Sequence, residues 1–154
     1  MNLWIETARD SLVSAIGAVD LVLMNDAELR MLTEQPNLMR AAREVMAMGP
    51  RMVVAKQGEY GAALFTEDSF FALPGYPLEE VVDPTGAGDT FAGGVLGYLA
   101  AQGTIDDAAL RRALLHGSVC ASFAVERFSV DGIEAATRAD IEGRHDALRE
   151  LIRV

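Results

Sequence analysis

The sequence predicts an α/β domain built on a mostly parallel sheet, and three observations predict it. Two short runs, Leu21-Val22-Leu23-Met24 and Met52-Val53-Val54-Ala55, are apolar at every position, as parallel strands covered on both faces are. Segments with helical three- and four-residue apolar spacing stand before, between and after them. With 51% hydrophobic and 23% charged residues, 14 Gly and 5 Pro in 154 residues, the composition is that of one globular domain, and disordered or collagen-like structure is excluded.

The elements follow in order. Trp4, Ile5, Ala8, Leu12, Ala15, Ile16 and Val19 predict one amphipathic helix from Trp4 to Val19. After the first strand, Asn25 is a good N-cap with Glu28 three residues on, so a helix from Asp26 to about Thr33 opens with a capping-box pattern. A further helix, Leu38 to Met48, ends at Gly49-Pro50 and leads into the second strand. The stretch from Gly61 to Thr66 and Phe70-Phe71-Ala72-Leu73 predict a hairpin turned by Glu67-Asp68-Ser69. Three more helices are expected: Gly88 to Gln102, Asp107 to Glu126 and Arg138 to Arg153.

Charge and cysteine content exclude several function classes. Thirteen Lys and Arg against 23 Asp and Glu give a net charge of −10, with no basic run to follow a phosphate backbone, so nucleic acid is not an expected partner. The single Cys120 cannot form an internal disulfide, and no apolar run marks a signal peptide or membrane span. The cytoplasm is the expected compartment, and no membrane partner is expected.

Chemistry concentrates in Val81-Val82-Asp83-Pro84-Thr85-Gly86-Ala87-Gly88-Asp89-Thr90-Phe91-Ala92-Gly93-Gly94, which reads as a strand end, a glycine loop and a helix start. Glycines let backbone N–H groups converge on one point, and a helix N-terminus adds partial positive charge there, so the loop can hold a phosphate. It is not a P-loop, which would place Lys and Ser or Thr after the second glycine where Gly94-Val95 follow Gly93. It is not the dinucleotide fingerprint either, because Phe91 occupies the place of the third glycine or alanine. A carboxylate inside an anion-binding loop has two readings: Asp89 is a base accepting a proton from a substrate hydroxyl, or it caps an ordinary helix. Elsewhere, His116 and Cys120 stand four apart with no further ligand nearby, which argues against zinc. His145 reads as a solvated residue of a charged helix, Gly93, Gly94 and Gly97 as close helix packing, and the seven methionines as packing at mostly helical core positions.

Asp83-Pro84-Thr85-Gly86-Ala87-Gly88-Asp89 resembles the C-terminal signature of the ribokinase-like (PfkB) carbohydrate kinases. Asn25-Asp26-Ala27-Glu28 is similar to the family's N-x-x-E motif, and the stretch from Val53 through Lys56-Gln57-Gly58-Glu59-Tyr60-Gly61 to its nucleotide-side strand and loop. The resemblance implies a three-layer α/β/α sandwich and transfer of the ATP γ-phosphate to a hydroxymethyl group of a sugar or nucleoside. It implies Asp89 as catalytic base, with Gly86, Ala87 and Gly88 as a backbone anion hole. Lys56, Gly58 and Gly61 would border ATP, and Asn25 and Glu28 would organise Mg²⁺ through water. Asp83 matches a position that helps hold a monovalent cation such as K⁺. Asn25 and Glu28 equally read as a capping box, and Asp83-Pro84 as a turn initiator. The resemblance further implies that residues 1–154 form one partial domain, the nucleotide and catalytic half, without the N-terminal strands, acceptor-binding residues and lid of the family. Self-association or pairing with a missing N-terminal half is then expected. Two other classes compete: a catalytically silent nucleotide-binding or association module, and a dinucleotide-dependent oxidoreductase, which Phe91 disfavours.

Overall fold

A computed structural model describes residues 1–153, which fall into two compact units. The first comprises Met1–Gln57 and Ala62–Ala72; the second comprises Gly58–Gly61 and the chain from Leu73 onward.

The first unit contains helices α1 (Asn2–Thr7) and α2 (Arg9–Ile16), strand β1 (Leu21–Asn25), helices α3 (Asp26–Thr33) and α4 (Leu38–Ala47), strands β2 (Met52–Lys56) and β3 (Ala62–Thr66), and all but the last residue of β4 (Phe70–Leu73). The sheet runs β1-β2-β3-β4. β1 and β2 pair in parallel, from Leu21 opposite Met52 to Asn25 opposite Lys56. β2 and β3 pair antiparallel, so parallel pairing is confined to the first two strands and the sheet is mixed. The reason is chain length: only residues 57–61 separate β2 from β3, whereas a parallel crossover needs about a dozen. The expected hairpin turns at 67–69, where the Thr66 N–H donates to the Ser69 carbonyl at 3.0 Å.

Met24, Val53 and Ala55 from the strands pack with Leu29, Leu32, Ala41, Ala42 and Val45 from α3 and α4 in one fully buried cluster. Burial of each larger aliphatic side chain contributes about 1.5–3 kcal/mol, which is what commits the apolar runs to the centre of this unit. The expected single N-terminal helix is broken at Ala8, whose φ of −146° and ψ of 44° lie outside helical geometry. Just before the break the Thr7 hydroxyl donates to the Leu3 carbonyl at 2.6 Å, a back-bond that bends helices. Ile5 and Ile16 are buried, while Trp4 and Val19 remain exposed. The methionines also differ from expectation: Met24 and Met52, both on strands, are buried, and the helical Met31 and Met39 are exposed.

The second unit contains a 3-10 turn at Gly58–Tyr60 and helices α5 (Ala87–Gln102), α6 (Asp107–Ala124), α7 (Asp131–Ala135) and α8 (Arg138–Leu151). Asp106 caps α6 by accepting from the Ala109 N–H at 2.7 Å, and Thr137 with Asp140 forms a complete capping box on α8. Phe91, Val95 and Leu99 of α5, Leu110, Leu114 and Val119 of α6, and Leu148 of α8 are buried. α6 ends at Ala124, two residues before the expected end, and α7 was not expected: its five residues are too few to show a period. Arg144 ties α8 to α6. Its Nη2 donates to both carboxylate oxygens of Glu126 at 2.8 and 2.6 Å, its Nη1 donates to Ser122 Oγ at 2.8 Å, and its guanidinium lies 3.7 Å from the Phe123 ring centroid.

Candidate active site

In the first unit the structure brings Asn25, Glu28 and Lys56 to the carboxyl ends of two parallel strands, the edge at which open α/β sheets bind ligands. Asn25 closes β1 and caps α3 at once. Its Oδ1 accepts from the Glu28 N–H at 2.7 Å, and its own N–H donates to Glu28 Oε2 at 3.0 Å, so the capping box is complete. The Glu28 carboxylate is buried, and its Oε1 lies 3.1 Å from the Met1 ammonium. An amide oxygen and a carboxylate, each with lone pairs beyond those the capping box uses, fit a hard cation held through water. Among the described residues no group of three His, Cys, Asp or Glu is placed to ligate a metal directly.

In the second unit, Gly58 and Gly61 differ in kind. Gly58 has φ of +60° and open space beside it, whereas Gly61 has φ of +100° and a Cβ there would overlap the Leu73 carbonyl oxygen. Gly61 therefore has a full structural reason to be glycine: the chain crosses the Leu73-Pro74-Gly75 backbone at contact distance.

The glycine loop lies in the same unit. Asp83 Oδ1 accepts from the Thr85 N–H at 2.9 Å, the Asx turn expected of an Asp-Pro start. That backbone bond, then the Thr85 hydroxyl, hold the Asp83 carboxyl below its usual pKa against an opposing desolvation, with the Ser129 N–H contributing least. The N–H groups of Val82 and Asp83 both donate to the Val125 carbonyl, at 2.8 and 3.3 Å. Gly86 is the N-cap of α5 at φ of +80°, a left-handed conformation that favours glycine. Its carbonyl accepts from the Asp89 and Thr90 N–H groups at 3.1 and 2.9 Å, and the Ala87 N–H donates to Pro84 at a long 3.2 Å. Asp89 is the third residue of the helix and solvent-exposed. The cap is Gly86, not Asp89, so simple capping does not account for the carboxylate.

Two other expectations are revised. His145 is not fully solvated: with His116, Tyr98 and Ile141 it lines a groove of about 630 Å³ between α5, α6 and α8. Burial, and then the charge of His145, push the His116 pKa down, and its ring stacks at a tilt 5.6 Å from Tyr98. Of Gly93, Gly94 and Gly97 on α5, only Gly94 is in close helix packing; Gly93 and Gly97 face open space. Cys120 packs against Gly94, and burial raises its thiol pKa.

A mixed sheet with a parallel pair, flanked by helices and followed by a glycine loop at a helix start, defines an α/β protein of the ribokinase-like class. The chain belongs to the pfkB family of carbohydrate kinases, whose family model matches residues 2–136. It is 41% identical over 93 residues to a cytidine kinase of Thermococcus kodakarensis, a match covering 58% of this chain and 33% of the relative. It is 28% identical over 125 residues to a probable chloroplastic fructokinase-6 of Arabidopsis thaliana, covering 79% and 32%. An aminoimidazole riboside kinase from Salmonella enterica, solved with aminoimidazole riboside and an ATP analogue, superposes with a TM-score of 0.80 at 24% identity, over 91% of this chain and 46% of that one. The chain thus spans less than half the length of these relatives.

Proposed function

We propose that this chain supplies the ATP-binding and phosphoryl-transfer half of a pfkB-type kinase, acting on a hydroxymethyl group of a small sugar or nucleoside. The observation that carries the reading is the exposed Asp89 carboxylate on the first turn of α5, directly after a left-handed Gly86 N-cap. In the proposed step, Asp89 takes the proton of the acceptor hydroxyl, the freed oxygen forms a bond to the γ-phosphorus, and the bond to ADP breaks. Gly86, Ala87 and Gly88 present the positive end of α5 to the phosphoryl oxygens, with the Ala87 N–H exchanging its long 3.2 Å bond to Pro84 for one of them. Asn25 and Glu28 would hold Mg²⁺ through water, and the bound ion supplies charge neutralisation on the phosphates. Lys56, Gly58 and Gly61 border the nucleotide, and the Asp83 turn offers oxygen ligands to K⁺. The reaction belongs in the cytoplasm, where ATP is plentiful.

The N-terminal strands, acceptor-binding residues and lid of such a kinase are then supplied from outside residues 1–154. Supporting this, β1 is paired on one side only, and Leu3, Trp4, Val81, Val82, Phe128 and Val130 are exposed.

Acceptor-dependent ADP release tests the proposal. It is measured with a panel of sugars and nucleosides on the purified chain and on the full polypeptide encoded by its gene. ADP released only with an acceptor supports phosphoryl transfer; ATP bound and never turned over in either preparation makes the chain a silent nucleotide-binding module.

A further inference from the structure

Helix α6 touches the chain on both sides of the Asp83–Asp89 loop. Before the loop, the Val82 and Asp83 N–H groups are fastened to the carbonyl of Val125, the C-cap of α6. After it, α5 and α6 meet backbone to backbone. A Cβ on Gly117 would lie 2.7 Å from the Phe91 carbonyl oxygen and 2.7 Å from Val95 Cγ2, and a Cβ on Gly94 would lie 2.9 Å from Gly117 Cα. These are closer than van der Waals contact allows, and the Phe91 oxygen belongs to the helix backbone, so it has no rotamer by which to yield. Gly93 and Gly97 on the same helix meet nothing within 4 Å, so the close approach is specific to one crossing.

We propose that Gly117 is a positioning residue for the loop that carries Asp89. The two points of attachment lie eight residues apart along α6, about 12 Å at the helical rise per residue, and one rigid helix holds both. Phe91 follows Asp89 by two residues. A methyl group at position 117 pushes the first turns of α5 away from α6 while Val125 still holds Val82 and Asp83, so the loop between must distort rather than travel as a body. Misplacement of a reacting group by about 1 Å costs up to about 10²-fold in rate. The catalytic meaning of this brace rests on the phosphoryl-transfer reading above; the brace itself does not.

The test uses ¹⁵N-labelled chain, with ADP as the probe, well below the melting temperature. Gly117→Ala is expected to move the amide resonances of Gly86, Gly88 and Asp89 and to weaken ADP binding by about tenfold or more, whereas Gly93→Ala and Gly97→Ala leave both unchanged. Because Gly117→Ala alone endangers folding, it is paired with Gly117→Ala/Val95→Ala. The double variant removes the Val95 Cγ2 contact and one carbon of net core volume, leaving the Phe91 carbonyl, with the ring edge of Phe91 at 3.3 Å, to be displaced. Loop amides and ADP affinity that match wild type in either folded variant would overturn the brace. A wild-type chain that binds no ADP would instead overturn the functional reading, and the amide shifts alone would then decide the brace.

Discussion

Asn25 and Lys56 stand opposite one another in register at the carboxyl ends of the parallel strands β1 and β2. Two motifs far apart in the sequence, the N-x-x-E segment and the strand before Gln57-Gly58, are thereby set on one edge of the sheet. The pairing also explains how Asn25 serves two elements: its backbone ends the ladder and its side chain starts α3.

Glu28→Gln keeps a side-chain acceptor for the Asn25 N–H and removes the negative charge. The melting temperature should stay near that of wild type while the Mg²⁺ concentration for half-maximal activity rises. Glu28→Ala should in addition lose roughly 1 kcal/mol, the usual worth of a cap. A Glu28→Gln enzyme with unchanged Mg²⁺ dependence would leave Glu28 with a capping role only.

Asp89→Asn tests the base directly. Phosphoryl transfer by the full polypeptide should fall by about 10²-fold or more while nucleotide affinity stays within a few-fold, because only proton acceptance is lost. Retention of most of kcat would refute the assignment.

The two glycines before β3 should separate sharply in chemical denaturation. Gly58→Ala faces only the left-handed backbone penalty of about 1–2 kcal/mol, since nothing surrounds it. Gly61→Ala must also force the Leu73 carbonyl aside, at an expected cost above about 4 kcal/mol or loss of folding. Equal losses at the two positions would mean that the backbone crossing is not rigid.

His116 sets a pH dependence of stability. Burial first, and the charge of His145 second, lower its pKa in the folded state, so the folded protein binds fewer protons than the unfolded chain below the ordinary value of 6.5. His145 on α8 faces it from the same groove, with Glu142, Asp146 and Arg138 at the rim and the Tyr98 ring beside it. Stability from this group is complete above pH 6.5 and declines as pH falls through the folded pKa. Urea titrations between pH 8 and pH 5 should show this slope, and His116→Gln should flatten it.

Features with a local cause are legible in the chain before it folds. Wholly apolar strands, a three-residue hairpin turn, the Asn25–Glu28 capping box and the glycine loop before α5 each depend on neighbours a few residues away, and each is present. The family signature is local in the same sense, which is why Asp83 to Asp89 was enough to suggest the fold. Tertiary structure alone decided what depends on distant groups. The partial burial of His145 beside His116, the tie from Arg144 to Ser122 and Glu126, and the demand for glycine at positions 61 and 117 were all of this kind. None of these has a periodic or compositional trace, because each is fixed by the atom that arrives from another element: a carbonyl oxygen of Leu73 or Phe91 excludes a methyl group, and nothing in the residues flanking Gly61 or Gly117 announces that it will be there.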